Sequence, residues 1–436
     1  MQTRKSLWLA AAICAAGMLI VVGCAAAGSS NEFKPSVQPE LPATIEMPKA
    51  ETNPVGESPM SASIETLVAA NNEFGFDLLN QLRTQDKDKN VFVSPLSVAT
   101  ALAMTYNGAA GETHLAMKRA LKYGTMNHPD INQSSQALMA KLKSADPKVE
   151  LLIANSLWAR QGVAFNPAFL DRNRQFFGAE VAALDFASPQ AVKTINDWVS
   201  QNTKGKIPVI LEQIGGDQVM FLINAVYFKG QWQKKFDAAK TQPQPFHLAD
   251  GKTKPTPMMA QSGNYPYFKG DNFQAVSLPY GQGGASLYLF LPAEGVSLNN
   301  FLGGVTFQNW QQWMNSFRNA PGDVKLPRFK MEYSRDLNNP LKALGMEVAF
   351  AQGKADFSGM REQKDLFISQ VKHKAILEVN EEGSEAAAAT SVGMSTTSMR
   401  REPERFNFVA DRPFLLAIRD QQTGAILFLG AVFEPM

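Results

Sequence analysis

Only four histidines, His114, His128, His247 and His373, and two cysteines, Cys14 and Cys24, occur in 436 residues. Imidazole and thiolate are the usual zinc ligands, and they are the usual activators or carriers of a nucleophile. Here there is no HExxH, no histidine pair at ligand spacing, and no cysteine beyond residue 24. A G-x-S-x-G elbow and a phosphate-binding G-x-x-x-x-G-K-[ST] loop are also missing. The glycines of Gly281-Gln282-Gly283-Gly284 stand between two strand-like runs and precede no helix, so they read as a hairpin turn. His373 sits in a strand-like run, QVKHKAILEV, and reads as a hydrogen-bonded structural residue. The chain is therefore expected to be no enzyme, with no metal and no cofactor. One stretch is unlike the rest: VNEEGSEAAAATSVGMSTTSMRREPERFNF, Val379 to Phe408. It begins as a strand, passes four alanines and ends in Ser, Thr, Gly and paired arginines.

The elements around it are those of a dense fold. Apolar residues make up 45% and charged residues 19%, with a net charge of +2, as in a folded globular chain. That balance gives no case for a nucleic-acid partner. No dense basic face suggests a polyanion activator either. Ile64, Leu67, Val68, Phe74, Leu78 and Leu82 recur at helical spacing. Ser94-Pro95 opens an almost wholly apolar helix, SPLSVATALAMTY, and Ser188-Pro189 opens another. PAFLDRNRQFF is a further helix. Strand runs are VELLIANSLWA, VMFLINAVYF, QAVSLPY, ASLYLFLP, DVKLPRFKMEY, KHKAILEVN, PFLLAIRD and AILFLGAVF. Helices lead and strands follow, which predicts an α+β fold with largely antiparallel sheets.

The first residues carry an address. Arg4 and Lys5 precede an apolar run from Leu7 to Val22, short for a membrane span, and then Gly23-Cys24. VVGC resembles a bacterial lipoprotein signal, with Val21 where Leu is usual. Residues 1–23 would be the signal and Cys24 the lipidated N-terminus; a plain secretory signal is the alternative. Ala25 carries no inner-membrane Asp signal, so the outer membrane or the cell surface is expected. Residues 24–63 are rich in proline and read as a disordered tether, followed by one domain over 64–436.

Five segments, NVFVSPLSVATALAMTYNGAAGET, NAVYFKGQWQKKF, LPRFKMEYSRDLNNPLKALGM, VKHKAILEVNEEGSEAAAAT and ADRPFLLAIRDQQTGAILFLGAVFEP, stand in one order across that domain. Together the chain is similar to the serpin family. The resemblance implies three mostly antiparallel β-sheets, about nine helices, and a reactive-centre loop at about 381–408. It also implies suicide inhibition: a protease cuts the loop, and the loop inserts into the central sheet while the acyl-enzyme persists. Target serine proteases, with cysteine proteases as a second class, would be held in a covalent complex by a monomer. A non-inhibitory binding or chaperone-like module is the alternative.

On its own AAAAT reads as a helical or flexible linker. In the serpin register Glu381 and Glu382 precede the hinge at Gly383, where a missing side chain frees the backbone. Ser384, Ala386, Ala388 and Thr390 then share one face of a future strand, while Glu385, Ala387 and Ala389 take the other. Alanine is a poor strand former, and its low bulk suits passage into a packed sheet. The seventeenth position from Glu381 is Thr397, giving Thr397-Ser398 as the reactive bond for an elastase-like pocket. A trypsin-like enzyme would instead cut after Arg400 or Arg401, adding about 10 Å of slack at roughly 3.3 Å per residue. Ser94, Ser97, Asn224 and His373 match the family's polar "shutter" below the main sheet. Trp232 matches the "breach" where the loop enters.

Overall fold

The computed structural model describes residues 59–144, 146–383 and 404–436. The described residues form one compact unit. In chain order the first half holds α1 (Pro59–Gln85), β1 (Val91–Val93), α2 (Pro95–Tyr106), α3 (Gly111–Ala120), α4 (His128–Ser144), β2 (Val149–Arg160), α5 (Pro167–Phe177), β3 (Glu180–Leu184), α6 (Pro189–Asn202) and β4 (Met220–Gly230). The second half holds β5 (Gln242–His247), β6 (Thr253–Lys269), β7 (Phe273–Tyr280), β8 (Ala285–Pro292), α7 (Leu298–Gly303) and α8 (Phe307–Ser316). It closes with β9 (Arg318–Pro327), β10 (Phe329–Asp336), α9 (Asn338–Leu341), β11 (Gln370–Val379), β12 (Phe406–Val409), β13 (Phe414–Asp420) and β14 (Ile426–Val432).

The predicted caps form. The Ser94 hydroxyl accepts from the Ser97 N–H with Pro95 in the first turn, and all twelve residues of α2 are buried. Ser188 caps α6 in the same way, and Ala191, Ile195 and Val199 give that helix one apolar stripe. The Gly281–Gly284 turn joins β7 to β8. Gly281 and Gly283 have φ of +53° and +95°, values glycine adopts without steric cost, and the Asp146 carboxylate fills the space a Cβ at residue 281 would need.

A five-stranded sheet runs β10-β11-β4-β2-β3. The second and third sheets are hydrogen-bonded into one nine-stranded assembly through β6, which pairs β5 and β9 along its length and β7 at its C-terminal end. Among the described residues there are nine α-helices, so the serpin fold class is as expected. One predicted strand differs. DVKLPRFKMEY is two strands, β9 and β10, in different sheets, because the chain crosses between them at Arg328.

The main core lies between the sheets. It is filled by α1, by α2, and by β13 and β14, whose neighbours in the sheet are β8 and β1. A second cluster packs Ile195 and Val199 of α6 against Ile223, Tyr227 and Ile376 on the other face of the five-stranded sheet.

Where α1 crosses the start of α2, a Cβ on Gly75 would stand 2.5 Å from the Pro95 ring. Gly75→Ala would gain about 1 kcal/mol of helix propensity but overpack a rigid ring at about 1–3 kcal/mol. The net outcome is a lower urea midpoint with an unchanged slope; a rise in midpoint would show that the ring yields.

Candidate functional site

The described residues on either side of 384–403, at the end of β11 and the start of β12, are built into the fold. At the β11 end, Asn380 to Gly383 close into a turn. The Asn380 Oδ1 accepts from the N–H groups of Glu382 (3.0 Å) and Gly383 (3.2 Å). This turn lies on the segment after β4. Trp232 N–H donates to the Glu382 carbonyl and Phe236 N–H to the Glu381 carbonyl, each at 2.9 Å. The Trp232 indole donates to the Asn380 carbonyl at 2.8 Å and stacks on Tyr280 at 4.4 Å. Trp232, the residue matched to the breach, thus lies against the turn that ends β11.

The two glutamates are held by their side chains. The buried Glu381 carboxylate accepts from Thr241 Oγ1 (2.7 Å) and pairs with Arg328 (3.4 Å), while Glu382 pairs with Lys235. Gly383 has φ +138°, and a Cβ there would stand 2.0 Å from the Gly230 carbonyl oxygen. Its missing side chain therefore serves first to seat the turn against β4. The small residues Ser384 to Thr390, the bond Thr397-Ser398, Arg400, Arg401 and Cys24 lie outside the described residues.

At the far end, Arg405 pairs with Asp323 at 2.9 Å, and this guanidinium, with Ser262, holds the Asp323 carboxyl below its usual range. Phe406 stacks on Tyr267 at 4.1 Å over Gly322, where a Cβ would strike the ring.

Between these ends lies the seam of β4 and β11. They pair in parallel from Phe221–Tyr227 to Gln370–Ile376, while β10 pairs with β11, and β2 with β4, in antiparallel fashion. A strand that left β11, turned at Gly383 and ran back between β11 and β4 would be antiparallel to both. It would replace one parallel ladder with two antiparallel ones, which are slightly more stable per residue.

The seam is stitched in its middle. His373 faces Asn224, and Asn224 faces Asn155 on β2, so three strands carry one polar row. The His373 Nδ1 meets the Asn224 Oδ1 at 2.5 Å, and its Nε2 lies 3.4 Å from the Ser94 N–H. Because Ser94 N–H can only donate, the imidazole carries its proton on Nδ1. The Asn224 amide donates to the Ser97 hydroxyl and to the Asn155 Oδ1. His373 and Asn224 are fully buried, and Ser94, Ser97 and Asn155 nearly so. Ser94, Ser97, Asn224 and His373, the residues matched to the shutter, thus come together in one hydrogen-bonded row. Asn155 was missed; the signal was an asparagine inside the apolar strand VELLIANSLWA, where that residue is disfavoured.

The arrangement is a central sheet with a parallel β4–β11 seam, a polar row across its middle and a fastened turn at the end of β11. The family model "Serpin (serine protease inhibitor)" matches residues 69–435. The leukocyte elastase inhibitor of Sus scrofa is 38% identical, covering 85% of this chain and all of the relative; Serpin B6 of Pongo abelii is 37% identical with the same coverage. Among solved structures, the thermophilic serpin tengpin in its native state superposes with a TM-score of 0.78 at 31% identity, covering 84% of this chain and 94% of the other. Human thyroxine-binding globulin gives 0.78 at 28%, covering 86% and 100%. The chain belongs to the serpin family.

One sequence expectation is restated by this match. Missing motifs led to a bare negative, no enzyme; the family and its relatives' names replace it with a positive role, protease inhibitor.

Burial holds the His373 pKa down at about 3, from an ordinary 6.5. A histidine lowered in the folded state contributes stability that is fully present above pH 6.5 and drains away as pH falls towards 3. The thermal midpoint should therefore drop as pH is lowered through that window, and His373→Gln should flatten the drop. A midpoint that rose on acidification would contradict the buried neutral imidazole.

Proposed function

We propose that this chain is an inhibitory serpin that traps elastase-like serine proteases, with cysteine proteases a second class, after cleavage at Thr397-Ser398. The observation that carries the reading is the parallel β4–β11 seam beside the root of the loop, with small residues next in line from Ser384. Speed of insertion decides the outcome, because the acyl-enzyme hydrolyses if the strand enters late. Alternating small side chains at Ser384, Ala386, Ala388 and Thr390 keep the inserting face free of bulk, and Glu385 falls on the opposite face, where a charge stays in water. The elastase preference rests on Thr397 and on relatives named as leukocyte elastase inhibitors. Arg400 and Arg401 are the alternative cleavage positions, and cutting there would leave the trapped enzyme less compressed.

The same proposal places the protein in a bacterial cell envelope, exported as a monomer and tethered through a lipid on Cys24. This rests on residues 1–24 alone, since the relatives named above are mammalian.

Incubation with elastase-, chymotrypsin- and trypsin-like proteases should give an SDS-stable complex with elastase, and mass spectrometry of the released peptide should begin it at Ser398. Ala388→Arg should convert the inhibitor to a substrate, raising the stoichiometry of inhibition severalfold. Clean cleavage with no complex and no gain in thermal stability would leave a binding module instead. Expression of the full chain in a bacterium should yield a diacylglyceryl-modified Cys24, and Cys24→Ala should release the protein from membranes. A secreted, unmodified product would remove the anchor.

A further inference from the structure

Two of the four histidines take no part in the loop machinery, yet they converge. His114 on α3 and His128 at the start of α4 close on Tyr106, the last residue of α2. The Tyr106 ring stacks on His114 at 4.6 Å and lies 4.5 Å from His128, and the two imidazole centres are 5.1 Å apart. The Tyr106 hydroxyl meets His114 Nε2 at 2.6 Å, and His128 Nε2 meets the Tyr106 carbonyl at 3.2 Å. Beside them Asn107 and Asn132 exchange two amide hydrogen bonds of 3.0 Å. The α2–α4 contact is thus polar and mostly buried.

These partners fix the protons. Burial raises the Tyr106 phenol to about 12, so it remains protonated and donates to His114 Nε2, leaving the His114 proton on Nδ1. A carbonyl can only accept, so His128 donates from Nε2. A proton added to His114 must therefore land on the atom that accepts the phenol. The bond reverses, and the phenol hydrogen loses its acceptor inside the protein, a cost that buried polar groups do not escape.

The surrounding charges do not offset this. Lys118 on α3 and Arg172 on α5 stand near the pair, and the Arg172 guanidinium donates to the Asn107 carbonyl at 3.3 Å. The carboxylates on the packed elements are engaged elsewhere: Glu112 with Arg119, Glu73 and Asp77 with Lys122, Asp171 with Arg174, Asp356 with Lys364, and Asp130 with the Asn127 N–H. Tyr123, the other titratable neighbour, is buried and protonated. Burial first, then the neighbouring histidine and lysine, lower His114; burial, then Arg172 and Lys118, lower His128 against its raising carbonyl bond. Lowered histidines give stability that is present above about pH 6.5 and lost below it.

We propose that Tyr106, His114 and His128 form a proton-operated clasp that fastens α3 and α4 to the end of α2 at neutral pH and releases on acidification. The other end of α2 carries Ser94 and Ser97 of the shutter. Twelve residues at 1.5 Å rise separate the two by about 18 Å of buried, rigid helix, so release at Tyr106 loosens the polar row that closes β4 on β11. This goes beyond the inhibitory reading and does not depend on it.

The test is deuterium exchange with mass spectrometry on the full chain, comparing wild type with the His114→Gln/His128→Gln double variant at pH 5.5 and 7.5. Glutamine keeps a hydrogen-bonding group but does not titrate. At pH 5.5 the wild-type segments 95–106, 128–144 and 220–230 should exchange severalfold faster than in the variant, and at pH 7.5 the two should agree. His373 is common to both, so its own acid sensitivity cancels. Equal exchange at pH 5.5 overturns the clasp. Should the double variant fail to fold, histidine Cε1–H titration of the wild type decides. Both His114 and His128 titrating below the ordinary histidine range supports the proposal, and either one titrating at or above it overturns it.

Discussion

The structure depends on one seam. Strands β4 and β11 are paired in parallel in the middle of a sheet whose adjoining pairs are antiparallel, and the closure is sealed by a fully buried hydrogen bond between Asn224 and His373. Parallel pairing usually needs a covering crossover on the same connection. Here the two strands are more than a hundred residues apart in sequence, and the cover on one face is α6 and on the other α2. The seam is well packed and fully hydrogen-bonded, yet it is not the best ladder that this chain can make. In the proposed inhibitory reading, that difference is what a cleaved loop would draw on, with no energy source outside the molecule.

The polar row answers a second requirement. An apolar seam of the same size would hold equally well, but it would give no defined alternative partners when the strands part. Asn224 uses both amide hydrogens and its carbonyl at once, across three strands and α2. Each of those groups is costly to leave unpaired in a dry core, so the row separates only when replacements arrive. The turn of Asn380 to Gly383 fixes the end of β11 beside β4, because it is fastened by backbone bonds to Trp232 and Phe236 and by side chains to Thr241, Arg328 and Lys235.

Much of this was legible in the sequence, for stated reasons. Ser94-Pro95 and Ser188-Pro189 are local cap signals that need no tertiary context, and β4, β8, β13 and β14 are apolar runs that only a core can accept. Other parts were not legible. Strand β6 carries Pro255, Pro257 and Pro266, which argue against a strand unless the missing N–H groups point away from a partner. The split at Arg328 leaves no mark, since the residues on both sides keep strand character while the chain changes sheets. Asn155 and the burial of Glu381 depend on strand register, and register between distant segments is set by packing and not by local pattern. The clustering of His114, His128 and Tyr106 joins three helices and could not be read from spacing.

The last two strands carry a consequence for how the chain is made. Strands β13 and β14 lie between β1 and β8, and nearly every residue in them is buried. Strand β1, near residue 91, pairs among the described residues with β14 alone, some three hundred and forty residues later. A growing chain therefore holds the apolar faces of β1 and β8 without their β14 and β13 neighbours until translation nears its end, and such exposed surface is what makes long-range β folds slow and prone to association. Loss of the last eleven codons would remove β14, one strand in from the edge, and strip β1 of the partner it has among the described residues.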